Sequence, residues 1–161
     1  ISINNLSSRA IVIPTALNNK TECLPFSVSS LSEGAASNSF GVNYTFDGSP
    51  MHAEASFIQP GMKADEFARI FAGNQMPSLI KIDVDGIEHL ILEGMKDVLL
   101  APGKRTVFIE VNHDFEEQKR SVSMFLIEYG YRKIEAAQSD MVAASKRSQR
   151  TFNEIWIKDT E

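Results

Sequence analysis

The middle of the chain has the clearest alternation of apolar and polar positions. "SLIKIDV" is a short apolar run rich in β-branched residues and predicts a strand. Ile87, Leu90, Ile91, Met95, Val98 and Leu99 follow at helical spacing, and the pattern stops before Pro102 and Gly103. "RTVFIEV" predicts the next strand. From Asp114 the period is helical again: Val122, Phe125, Leu126 and Tyr129 form an apolar stripe ended by Gly130. Asp114 and Glu117 have the form of a capping box for that helix. "YRKIEAA" and "FNEIWIK" read as two closing strands, joined by a polar connection from Gln138 to Arg150.

The N-terminal half is less regular. "RAIVIPTAL", Arg9 to Leu17, predicts a strand with Pro14 at its end or edge. Residues 27–50 are rich in Ser, Gly and Asn and predict a long loop, with a weak hairpin around "FGVNYTF". Ala53 to Gln59 alternates as a strand. "KADEFARIFAG" predicts a short amphipathic helix with Phe67, Ile70 and Phe71 on one face, ended by Gly73. Strand–helix–strand–helix order implies right-handed crossovers. The expected fold is α/β, with a mostly parallel sheet covered by helices on both faces. The last two strands lack a helix between them, so they are expected to pair antiparallel and leave a reversed edge strand. No internal repeat is present, and residues 1–161 read as a single domain.

Composition narrows the class. A chain of 161 residues with 43% hydrophobic residues and a net charge of −5 can bury a sizeable core. It carries no basic stripe, which argues against a nucleic-acid partner held through phosphates. Its longest apolar runs are too short to span a bilayer. The single cysteine, Cys23, precludes an internal disulfide and most cysteine-based metal sites. It reads as a partly buried small hydrophobe, and a reducing cytoplasm suits it. No metal site is expected.

The candidate chemistry lies where strands end. In open α/β sheets ligands bind beyond the carboxyl ends of the strands. Asp83 closes "LIKID"; Glu110 and Asn112 close "VFIEVN", and His113 follows. Neighbouring strands would bring these groups to one cleft carrying several acids and an imidazole. Asp85 and Glu88 have capping-box spacing for the helix that begins near Gly86. Asp83 precedes that cap, so capping does not account for it. His52 and His89 read as surface or packing residues. "DVDG" fails as a calcium loop, because Lys81 and Leu92 occupy the positions that need acids. It resembles more closely the Asp-x-Asp-Gly-Thr opening of haloacid dehalogenase-type phosphatases. Ile87 and Glu88 depart from that pattern, and the next strand ends in Glu110 rather than Ser or Thr; this reading stands as an alternative.

"IKIDVDGIEHLILEGM" closely resembles the signature of the FkbM-type methyltransferases, Ile-Lys-Ile-Asp-Val-Glu-Gly-x-Glu followed by apolar spacing to Leu-x-Gly. Asp83, Gly86, Glu88 and Gly94 match, and Asp85 stands where Glu is usual. "MKADEF" is similar to the Thr-x-Asp-x-Leu segment before the signature, "VFIEVN" to the strand after it, and "FNEIWIK" to the closing strand. "VIPTAL" resembles the strand and adenine-side turn upstream. The resemblance implies a class I Rossmann-like sheet, S-adenosylmethionine as cofactor, and O-methylation of a sugar, glycan or polyketide-like small molecule. It makes Asp83 the first choice for a group near methyl donor and acceptor, Glu88 and Glu110 orienting groups, and His113 a base. Thr15 and Ala16 would be contacts to adenine. The family's glycine-rich first loop and ribose-binding acid have no counterpart here, so the chain is expected to correspond to the C-terminal portion of the domain. Open strand edges would then favour homo-oligomers. A non-catalytic binding or scaffold domain of methyltransferase descent is a further alternative.

Overall fold

A computed structural model describes residues 4–6, 8–33, 36–73, 75–138, 142 and 150–159. They form a mixed α/β fold with two four-stranded sheets. The first sheet is built from β1 (Ala16–Asn18), β2 (Cys23–Val28), β3 (Ser39–Phe40) and β4 (Ala55–Lys63), in the order β1-β4-β2-β3. β1 runs parallel to β4, whereas β2 is antiparallel to both β4 and β3.

Two expectations for this half are corrected. The strand predicted over Arg9 to Leu17 forms only from Ala16. Upstream, the backbone bonds are made locally: the Arg9 and Ala10 N–H groups both reach the Leu6 carbonyl, and Thr15 N–H turns back to Ile13. Pro14 has no N–H to offer a ladder, and Ile11 and Val12 stay exposed. Conversely, Cys23–Val28 forms a full strand that periodicity did not signal. Pro25 and Ser27 interrupt its pattern, yet it pairs with β4 over six positions. Cys23 is exposed rather than partly buried. Within 27–50, β3 and a bridge between Tyr44 and Pro50 hold the chain.

Helix α1 (Ala64–Phe71) follows β4 directly and buries Ala64 and Ala68. The predicted apolar stripe turns the other way, with Ile70 57% and Phe71 50% exposed. The small alanines permit close approach to the core, and Phe67 and Phe71 instead form an open groove with Ile11 and Ile13.

The second sheet and its helices follow as β5 (Leu79–Ile82), α2 (Glu88–Glu93), α3 (Lys96–Leu100), β6 (Arg105–Asn112), α4 (Glu116–Glu128), β7 (Arg132–Ala137) and β8 (Thr151–Lys158). The order is β5-β6-β8-β7. β5 and β6 are parallel neighbours, and β8 is antiparallel to both β6 and β7. The reversed strand is therefore the last in sequence but interior to the sheet. Its buried Thr151, Glu154 and Trp156 suit that place, while β7 is exposed along its whole length and takes the edge. On β6, Val107, Ile109 and Val111 are buried and alternate with half-buried Thr106, Phe108 and Glu110. The buried set joins Ile91, Leu92, Val122, Leu126 and Trp156 in one core cluster. Most of the connection from Gln138 to Arg150 lies outside the described residues.

The helix predicted from Ile87 to Leu99 is broken into α2 and α3 at Gly94 and Met95. The end of β1 crosses at that point, and a Cβ on Gly94 would run into the Asn18 carbonyl oxygen. The new N-terminus of α3 is capped from a distance. Both carboxylate oxygens of Asp65 accept from it, from the Asp97 and Val98 N–H groups at 3.1 and 3.0 Å. The capping box expected at Asp114 does not form. α4 starts after Phe115 without a side-chain cap, and Asp114 pairs with Arg150 at 2.8 Å.

Candidate functional site

The last paired residues of the parallel ladder are Ile82 and Ile109. Asp83 and Glu110 come next on their strands, so both stand at the carboxyl end of the second sheet. Asp83 lines a cavity of about 560 Å³ walled by residues of both sheets, within the range usual for small-molecule sites. Leu17, Phe26, Phe40, Ile80 and Ile82 give it apolar walls, and Thr15, Asn38, Lys81, Asp83 and Asp85 bring polar groups to it. Thr15 and Ala16, at the start of β1, thus share a cavity with Asp83 although they are far away in sequence.

The local charges are coupled. Lys81 and Asp83 form an ion pair at 2.6 Å with both side chains about half exposed. The hydrogen bond and charge of Asp83 raise the Lys81 pKa above its usual value, with Glu110 adding to the effect. Burial pushes the Glu110 carboxyl upward, and the negative charges of Asp83 and Asp85 push it further. Asp85 does not cap α2. Its carboxylate accepts from the Asn38 N–H at 2.8 Å and so ties the β3 segment to the signature. The Asn38 Oδ1 atom is buried without a partner. Gly86 adopts φ +107°, where a Cβ would meet the Thr45 carbonyl oxygen at 2.8 Å; the chain around Thr45 and Phe46 passes directly over the turn.

Glu88 is not at the surface of the cavity. It is 1% exposed, and its two oxygens accept from the Val84 N–H and from Gln118 Nε2. Removal from water raises its pKa to about 8 against those hydrogen bonds, which favour the ionised form. Tyr44 lies nearby, pushed up to about 12 by burial and by the charges of Glu117 and Glu88. The expected capping box of Asp85 and Glu88 is absent because both carboxylates are committed to other donors.

His113 faces a different group. Its Nε2 lies 3.0 Å from Glu154 Oε1, and its ring sits 4.4 Å from that of Phe152. Glu154, 1% exposed, also accepts from Lys133 Nζ and Trp156 Nε1. The structure therefore brings Thr15, Ala16 and Asp83 to one cavity and sets Glu110 beside Asp83 at the strand ends, outside the cavity lining. It seats Glu88 in the core and His113 on a buried carboxylate. His89 is buried edge-on to Phe115, as a packing residue would be, and His52 is exposed. Gln118, Asn38 and Glu154 were not foreseen. Glu154 carried a usable signal, an acid within an otherwise apolar strand pattern; Gln118 and Asn38 carried none.

A family model for the methyltransferase FkbM domain matches residues 1–133. That is most of the chain, and the protein belongs to this family. No curated protein and no solved structure matches it.

Proposed function

We propose that this FkbM-family chain is the cofactor- and acceptor-binding part of an S-adenosylmethionine-dependent O-methyltransferase, with its site at the cavity beside Asp83. The observation that carries the reading is that Asp83, Thr15 and Ala16 line one cavity in a chain with the FkbM signature. The parallel pair β5 and β6 with reversed β8 beyond it fits the second half of a Rossmann-like sheet. The family match favours this reading over the phosphatase one.

The lining residues suit the cofactor's chemistry. The apolar walls suit an adenine ring, the unpartnered Asn38 oxygen can accept from an N–H or O–H donor, and Asp83 and Asp85 favour a positive charge. When bound, S-adenosylmethionine supplies an electrophilic methyl group on a sulfonium. Thr15 and Ala16 would hold its adenine side. Asp83, a half-exposed carboxylate 2.6 Å from the Lys81 ammonium, orients the acceptor hydroxyl and takes its proton. Glu110, half-buried next to it, orients a second hydroxyl by accepting its hydrogen bond. Sugar, glycan and polyketide-like hydroxyls are the acceptors such a set of carboxylates would suit. His113, seated on Glu154, is the reserve base. A cytoplasmic protein acting on small molecules is the setting this reading implies.

Calorimetric titration with S-adenosylhomocysteine tests the reading. Saturable heat at one site per chain is expected. A flat titration of folded protein would contradict it and leave the scaffold alternative.

A further inference from the structure

We infer that Gln118 is a positioning residue: through Glu88 it fixes the carboxyl end of β5, which carries Asp83, against the carboxyl end of β6, which carries Glu110. The inference rests on the reading of Asp83 and Glu110 as acceptor-orienting groups.

The ladder between β5 and β6 ends at Ile82 and Ile109, one residue short of the two acids. β6 continues under control, because its Glu110–Asn112 segment still pairs with β8. β5 does not continue, and its next peptide needs another anchor. That anchor is Glu88, whose Oε1 accepts the Val84 N–H at 3.3 Å. Its Oε2 accepts from Gln118 Nε2, and Gln118 Oε1 accepts from the Asn112 N–H at 2.7 Å. A bridge of two side chains thus joins the peptide after Asp83 to the peptide two residues beyond Glu110. The two bridging side chains and the Asn112 end are buried, with Glu88 1%, Gln118 2% and Asn112 5% exposed, and the Val84 end is half-buried.

An amide serves at this position at any pH. The side chain must donate to a carboxyl oxygen at one end and accept from a backbone N–H at the other. Methionine does neither, and glutamate donates only while protonated. Water does not compete at this depth, so the bridge holds one geometry and its loss leaves buried polar groups unpaired. A network of this kind sets a distance between two chain ends as well as adding stability.

The consequence is readable in protein without ligand. Asp83 helps to raise the Glu110 pKa through space, so the size of that effect reports their separation. The experiment follows the carboxyl carbons of labelled Asp and Glu by NMR through a pH titration. Four proteins are compared: wild type, Asp83→Asn, Gln118→Met, and Gln118→Met with Asp83→Asn. In the wild-type background, Asp83→Asn is expected to lower the Glu110 midpoint. In the Gln118→Met background the same substitution is expected to lower it less than half as much. Equal shifts in both backgrounds overturn the inference, since a residue that only adds stability leaves the coupling intact. Should Gln118→Met fail to fold, Gln118→Asn, which keeps the amide but is one methylene too short to reach both partners, carries the same comparison with the same two outcomes. The titration with S-adenosylhomocysteine is a separate readout. Binding with unchanged coupling sinks only the role of Gln118, whereas a changed coupling without binding sinks only the methyltransferase reading.

Discussion

At the scale of single residues, the two aspartates of the signature separate. Asp83 lines the cavity, while Asp85 serves as an acceptor for the Asn38 N–H. Asp83→Asn is therefore expected to cut single-turnover methyl transfer by about 10²-fold or more, the scale of a positioned acid–base group, with its melting curve unchanged. Asp85→Asn keeps an oxygen for that bond and should retain most of the activity. Glu88 makes a prediction about stability. The folded chain holds its proton up to about pH 8, whereas an ordinary glutamate releases it near 4.5. Between those values the folded state binds more protons, so the Glu88 contribution is complete below about pH 4.5 and declines as pH rises through 8. Its share of the slope approaches ~1.4 kcal/mol per pH unit in mid-window. Chemical denaturation across pH should give a flatter profile for Glu88→Gln than for wild type; parallel profiles would refute the buried, proton-retaining acid. Asp83 was legible in the sequence because a strand end and a cap position can be counted. The burial of Glu88 was not, because its partner Gln118 comes from another helix and capping rules see only local spacing.

Among the elements, β5, β6 and α4 were legible because each has one clear period and buries one clear face. The misses share a cause, namely that a distant part of the chain decides the outcome. α2 and α3 separate because β1 crosses at Gly94, and α1 turns its alanines to the core and leaves Ile70 and Phe71 exposed. β2 exists because β4 offers it a full ladder. The distant cap of α3 gives a test. Asp65, the acid of "MKADEF", accepts from two free N–H groups at that terminus. Asp65→Ala should cost about 1–2 kcal/mol, toward the upper part of the range for lost caps, and Asp65→Asn distinctly less, both read from urea unfolding. Equal, negligible losses would show that the cap does not hold α3.

For the molecule as a whole, the cavity walled by both sheets is the feature that topology creates and no local pattern announces. β1 and β5 belong to different sheets, yet residues of both line it. Among the described residues β5 pairs on one side only, and Leu79 on it is 65% exposed. An open edge of this kind recruits other strands, so sedimentation of the 161-residue chain should show association rising with concentration. A monodisperse monomer at all concentrations would contradict this. The central claim, that the cavity beside Asp83 receives the methyl donor, is tested most directly by mapping amide shifts as S-adenosylhomocysteine is added. The account predicts that the largest changes fall on Thr15, Ala16, Asn38 and Asp83, from both sheets at once. Changes confined to residues away from the cavity, or none at saturating ligand, would contradict it.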